Sequence, residues 1–159
     1  MTLALRGKNL SEKLDTTLLA DPVTDYVLDD QVGFILRQVG QRHTSIFADM
    51  MIERLTPTQF AAMSKLHQIG DCSQNQLGRH TSMDVATIKG VVDRLVKRGF
   101  VDSYADVSDA RRRIVCLTET GREVIVKAVE IAAEITRETL NPLSAEAQKQ
   151  LLNLLIQMR

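Results

Sequence analysis

The sequence predicts a mostly helical α+β protein, on three observations. Long segments repeat apolar residues at spacings of three and four, the helical period. Two segments open with a capping-box pattern, Thr56 with Gln59 and Ser73 with Gln76, in which a hydroxyl residue is followed three positions later by glutamine. Only FVDSY (100–104) and RIVCLT (113–118) have β-type composition, and the polar ADVSDARR between them reads as a hairpin turn. The expected order is helix, helix, helix, helix, hairpin, helix, helix, with a small sheet.

Residues 1–29 read as an extension. They hold the acids Glu12, Asp15, Asp21, Asp25 and Asp29 against Arg6, Lys8 and Lys13, and LSEKLDTTLLA can form a short helix that Pro22 ends. Such a segment is either docked on a partner chain or mobile. A long helix starts at Asp30, carries Val32, Ile35, Leu36, Val39, Ile46, Phe47, Met50 and Met51 on one stripe, and stops near Leu55. Thr56 then caps a second helix, Pro57 suits its first position, and Gly70 stops it. Ser73 opens a short helix to about Arg79. Beyond His80, Thr81 and Ser82 runs DVATIKGVVDRLVKRG, closed by Gly99, with Val85, Ile88, Val92, Leu95 and Val96 as its expected buried face. After the hairpin, Thr118 caps a long helix that Pro142 ends, and Ser144 caps the last one.

The 159 residues suit one domain, or one domain plus a lobe, and 44% hydrophobic content is ordinary for a globular protein. Cys72 and Cys116 lack metal-like spacing and suit a reducing cytosol. Arg6 and Lys8 interrupt the N-terminal apolar residues, so no signal peptide is expected, and no apolar run is long enough to span a membrane. A cytoplasmic protein is expected. With only His43, His67 and His80, and no Ser/His/Asp set, metal cluster or Gly-rich phosphate loop, the chain does not read as an enzyme, and no cofactor or metal is expected.

The short helix, the turn and the helix after it form a helix-turn-helix pattern, and the hairpin adds a wing. Such units lay the second helix in the DNA major groove. Net charge is zero, but its distribution is uneven. Residues 79–113 hold Arg79, Lys89, Arg94, Lys97, Arg98, Arg111, Arg112 and Arg113 against Asp84, Asp93, Asp102, Asp106 and Asp109, whereas residues 1–78 carry more acid than base. Phosphate neutralisation requires this local excess, not a basic whole chain. Candidate DNA contacts are Ser82 in the turn, then Asp84, Ala86, Thr87, Lys89 and Gly90 on the exposed start of the recognition helix, with Arg94 and Lys97 suited to phosphates. The plainer alternative is an amphipathic helix with a solvated face.

LTPTQFAAMSKL, SQNQLGRHTSMDVATIKGVVDRLVKRGFV and DARRRIVCLTETG, in that order and spacing, resemble the MarR family of bacterial winged-helix transcription regulators over residues 30–159. The resemblance implies that Asp-x-Arg marks the wing, with Arg111 entering the minor groove and Asp109 holding it in place. An arginine there reads groove width and negative potential, and a bidentate carboxylate pair would reduce the entropy lost by the long side chain. Arg112 and Arg113 are expected to supply supporting charge. Many relatives have a basic residue where this chain has Asp102 and Ser103. The implied domains are the extension 1–29, dimerisation helices at 30–55 and 118–159, and a winged DNA-binding lobe at 56–117.

Ile125, Ala128, Val129, Ala132 and Ile135 form one C-terminal stripe and Leu151, Leu154, Leu155 and Met158 another. Both look too wide for a small winged domain to cover, so a homodimer that interlocks the termini is expected. The resemblance implies the same. It would read double-stranded DNA as a pseudo-palindrome with half-sites about 10 base pairs apart. In the resembled family small aromatic carboxylates bind between the lobes. His43, flanked by Arg37 and Arg42, and His67, expected on the inner face four residues after Met63, would suit such an effector beside Phe47, Met50, Met51 and Met63. The plainer reading gives each histidine a core or interface hydrogen bond and makes the methionines packing. The whole chain also resembles the branch of the family that represses nicotinate catabolism and responds to a hydroxylated nicotinate, although no short motif carries that likeness. Two alternatives stay open: a redox-responsive regulator using Cys72, whose place before a helix N-terminus lowers a thiol pKa, and a winged-helix protein-interaction module.

Overall fold

The computed structural model describes residues 26–109 and 111–158, and the short helix expected within the extension lies outside them. Two compact units divide the chain, Met1–Val39 and Gly40–Arg159. In the first, a 3-10 turn at Leu28–Asp30 leads to helix α1 (Val32–Met50), and the Gln31 side-chain Nε2 donates back to the Val27 carbonyl at 3.0 Å. Val32, Ile35, Leu36 and Val39 on this part of α1 are exposed.

The second unit contains the remaining elements. Helix α1 ends at Met50, earlier than expected, because a 3-10 turn at Ile52–Arg54 follows, in which Glu53 and Arg54 take φ of 52° and 48°. Helix α2 (Pro57–Ile69) opens as its sequence predicts: Thr56 Oγ1 accepts from the Gln59 N–H, and Gln59 Oε1 accepts from the Thr56 N–H at 3.1 Å. Then come β1 (Cys72–Ser73), α3 (Gln74–His80), α4 (Val85–Lys97), β2 (Val101–Ala105), β3 (Arg113–Leu117), α5 (Glu119–Leu140) and α6 (Ala145–Gln157). The hairpin is part of a three-stranded antiparallel sheet in the order β1-β3-β2, with Val101 opposite Leu117, Ala105 opposite Arg113 and Cys72 opposite Val115. Strand β1 is a correction to the two-stranded reading. At two residues it is too short to show a period.

The core joins α2, α4, α5 and the sheet through side chains such as Met63, Leu66, Leu95, Val115 and Ile125. Its α4 face is Ile88, Val91, Val92 and Leu95. Val91 belongs there, whereas Val85 and Val96 are exposed by 68% and 40%. The observed set follows i, i+3, i+4, i+7, and Val85 instead lines a surface groove with Asn75 and Arg79 in the first turn.

Helix α5 is anchored by a close backbone approach. Thr118 caps it, accepting from the Gly121 N–H at 3.0 Å, while its own hydroxyl donates to the Gly99 carbonyl at 2.7 Å. A Cβ at Gly121 would lie 1.9 Å from the Phe100 carbonyl oxygen, so no side chain fits. The approach buries Ile125, Ala128 and Ile135 in this chain's own core, so the stripe expected to need a partner is largely covered. Helix α6 differs. None of its residues is buried, and Leu152, Leu154, Leu155, Ile156 and Met158 are exposed. Among the described residues no helix is long and apolar enough to cross a membrane.

Candidate nucleic-acid interface

The helix-turn-helix is built from local hydrogen bonds. Gln76 Oε1 accepts from both the Ser73 N–H at 3.0 Å and the Ser73 hydroxyl at 2.8 Å, which starts α3. Helix α3 ends in a Schellman turn: the Met83 N–H reaches the Gly78 carbonyl at 2.9 Å and the Ser82 N–H reaches the Arg79 carbonyl at 3.4 Å. Ser82 occupies the left-handed position at φ 54°, where glycine is commoner. A Cβ on Gly78 would meet Met83 O at 3.1 Å and Ile88 Cγ2 at 3.2 Å, so the tight turn favours glycine at that position.

Asp84 and Thr87 serve the helix before they serve a ligand. Asp84 Oδ1 accepts from the Thr87 N–H at 2.7 Å, and Oδ2 accepts from the Thr87 hydroxyl at 2.9 Å. The backbone bond first, then the hydroxyl bond, holds the Asp84 carboxyl below its ordinary pKa. Such a cap satisfies backbone N–H groups that the first helical turn leaves without an intrahelical partner. The Thr87 hydroxyl is thus committed to Asp84. Ala86 is exposed beside it. Lys89 pairs with Asp93 at 2.8 Å, and the Arg94 guanidinium lies within 3.3 Å of the place a Cβ on Gly90 would take. Lys97 is exposed in the last turn.

The wing separates its three arginines. Asp109 Oδ1 accepts from the Arg111 N–H at 3.0 Å, and the Asp109 carbonyl accepts from the Arg112 N–H at 2.8 Å. Asp109 therefore places Arg111 through the backbone, which corrects the expected bidentate pair between side chains. Among the described residues the Arg111 guanidinium has no hydrogen-bond or ion-pair partner. Arg112 donates to Gln76 Oε1 at 3.2 Å, with its Nε 3.9 Å from Asp106 Oδ2. Arg113 folds onto the neighbouring strand, giving Nε to Ser103 Oγ at 3.2 Å and Nη2 to the Ser103 carbonyl at 2.6 Å. Arg113 thus braces the hairpin and is not spare charge. Ser103 has a role as its acceptor. The Ser108 hydroxyl first, then its N–H, holds the Asp106 carboxyl low. Exposed pairs of this kind are screened by water, so they direct the wing more than they stabilise it. Arg111 and Arg112 line a cleft with Arg79, Asn75, Ser73 and Asp109, an open cationic surface between α3 and the wing.

The candidate effector residues are scattered. Arg37, in the first unit, lies 4.9 Å over the Phe34 ring. In the second unit, Arg42 donates to the Thr139 carbonyl at 2.6 Å and the Glu138 carbonyl at 3.1 Å, holding the C-terminus of α5. His43 is half-buried, its Nδ1 2.9 Å from Thr139 Oγ1 and its ring 6.2 Å from that of Phe47. Phe47 meets Phe60 edge-on at 5.9 Å. Met51 and Met63 are core residues, and Met50 is exposed. His67 is exposed, which corrects its expected place on the inner face: Ala62, Met63 and Leu66 take that face one helical step away.

The Cys72 thiol is pushed up, first by burial and then by the Asp71 charge, against the hydrogen bond at Leu77. A sensor thiol is helped by the opposite shift, so this setting does not favour the redox reading. Burial also raises Cys116. Among the described residues no group of His, Cys, Asp and Glu is arranged to hold a metal.

Residues 55–112 match the MarR family. The chain is 37% identical over 136 residues to the HTH-type transcriptional repressor NicR of Pseudomonas putida, covering 85% of this chain and 86% of that one. The crystal structure of a probable transcriptional regulator from Pseudomonas aeruginosa superimposes with a TM-score of 0.81 at 50% identity, covering 84% of this chain and 100% of that one. Bordetella bronchiseptica BpsR, whose DNA binding is regulated by 6-hydroxynicotinic acid, superimposes with a TM-score of 0.79 at 34% identity, over 84% of this chain and 96% of that one.

Proposed function

The chain belongs to the MarR family of winged-helix transcription regulators, and on that premise we propose that it is a dimeric repressor that grips a pseudo-palindromic operator and is released by a small aromatic acid. Arg111 at the wing tip, whose guanidinium has no partner among the described residues, carries the reading. Asp109 sets its backbone, while Arg112 and Arg113 are tied to Gln76 and Ser103, so among the described residues the Arg111 guanidinium is the wing arginine open to a minor groove. The uncovered apolar side chains of α6 favour a second copy of the chain as their cover. Two recognition helices would then meet half-sites about 10 base pairs apart.

The likeness to NicR and BpsR favours a hydroxylated nicotinate as effector. His43 beside Phe47 supplies an imidazole next to an aromatic wall. Release follows if the effector binds more tightly to a dimer whose recognition helices no longer match the operator.

Fluorescence anisotropy on the DNA upstream of the chain's own gene tests the reading. Affinity should fall steeply with salt, and Arg111→Ala should weaken binding about tenfold or more, with a salt slope shallower by about 1. Binding that ignores salt would end the repressor reading. His43→Ala should bind that DNA almost as the parent does but need more 6-hydroxynicotinate for release. An unchanged release curve removes His43 from the effector site.

A further inference from the structure

Arg98, at the C-cap of the recognition helix, belongs to none of the contacts above. Its Nη2 donates to the Glu53 carbonyl oxygen and its Nη1 to Gln59 Oε1 at 3.3 Å. The guanidinium also lies 3.9 Å from the Glu53 carboxylate and 4.6 Å over the Phe100 ring. One planar fork thus joins the end of α4 to the corner between α1 and α2.

That corner is strained. Glu53 and Arg54 are consecutive non-glycine residues at φ 52° and 48°, and each left-handed L-residue costs about 1–2 kcal/mol. Such a conformation persists only where the surroundings hold it. Leu55, 3% exposed, anchors the corner on one side, and the Thr56 capping box holds the next turn. Arg98 holds the Glu53 carbonyl itself.

We infer that Arg98 is a positioning residue for DNA binding, a latch that fixes the recognition helix against the strained α1–α2 corner without touching DNA. The inference rests on the reading that α4 enters the major groove. The lever is long. Helix α4 has 13 residues, so at 1.5 Å per residue its N-cap lies about 20 Å from Arg98. A swing of about 10° at the latch then moves the base-reading end by about 3.5 Å, one base-pair step. Loosening the fork spreads the recognition helix over positions that do not fit the operator.

The test uses the full chain and the duplex from upstream of its own gene, below the melting temperature of each variant. Arg98→Ala should bind about tenfold more weakly, within the range for coupling through packed networks. Its plot of log affinity against log salt should run parallel to the parent's, because no phosphate contact is lost. Arg98→Lys keeps the charge but not the fork and should recover only part of the affinity. Unchanged affinity in Arg98→Ala overturns the latch, and a slope shallower by about 1 also overturns it by showing direct phosphate contact. If the parent chain binds no DNA in a salt-sensitive way, the repressor reading fails on its own. The latch is then judged by hydrogen exchange at the Leu55 amide, which donates to the Ile52 carbonyl at 3.1 Å. Faster exchange in Arg98→Ala supports it, and unchanged exchange overturns it.

Discussion

The two capping boxes use the same four-residue device in different settings. In both, a glutamine side-chain oxygen accepts the N-cap amide and also an arginine from elsewhere: Gln59 takes Arg98, and Gln76 takes Arg112. Gln59 is 5% exposed and its arginine grips the strained Glu53 corner. Gln76 is half-buried and its arginine comes from the exposed wing. A local cap can therefore double as a joint between distant elements. Burial decides whether that joint serves stability or mainly direction, because groups with less access to water lose more when a partner is removed.

Substitution at the two glutamines should separate these settings. Gln59→Ala removes the side-chain half of the box and leaves Arg98 short of an acceptor, at an expected cost of about 2 kcal/mol. For a chain of this size that lowers Tm by about 4–8 °C in thermal denaturation. Gln76→Ala should cost about 0.5–1 kcal/mol, a fall of about 2 °C, since the Arg112 bond is solvated. Equal falls in the two variants would erase the distinction, and a larger fall at Gln76 would reverse it.

Much of the fold was legible. Both boxes, the Thr118 and Ser144 caps and the Gly70 stop could be read because each closes within a few residues, where spacing alone names the partner. The helix-turn-helix and wing followed from their order. The C-terminal stripes were less legible. Those of α5 and α6 look alike in sequence, yet α5 is buried in its own core and α6 is not. Periodicity shows that a face is apolar but not what covers it. His67 was misplaced for a related reason: four residues after the buried Met63 is a helical neighbour, but the core ends before reaching it. Nothing in the spacing marked Arg98, whose partners lie 39 and 45 residues away.

The run of three arginines shows the same division. By itself the sequence determined that cation gathers at residues 111–113, that it follows a helix-turn-helix, and that Asp109 stands two residues ahead. Only the tertiary structure decided which arginine is free. Arg113 is taken by Ser103 across the hairpin register and Arg112 by Gln76 across a gap of 36 residues, while the Arg111 guanidinium has no partner among the described residues. The physical reason is reach. A cap finds its partner along one turn of chain, but a guanidinium at the end of a long side chain bonds whatever acceptor the packed elements bring within about 3 Å.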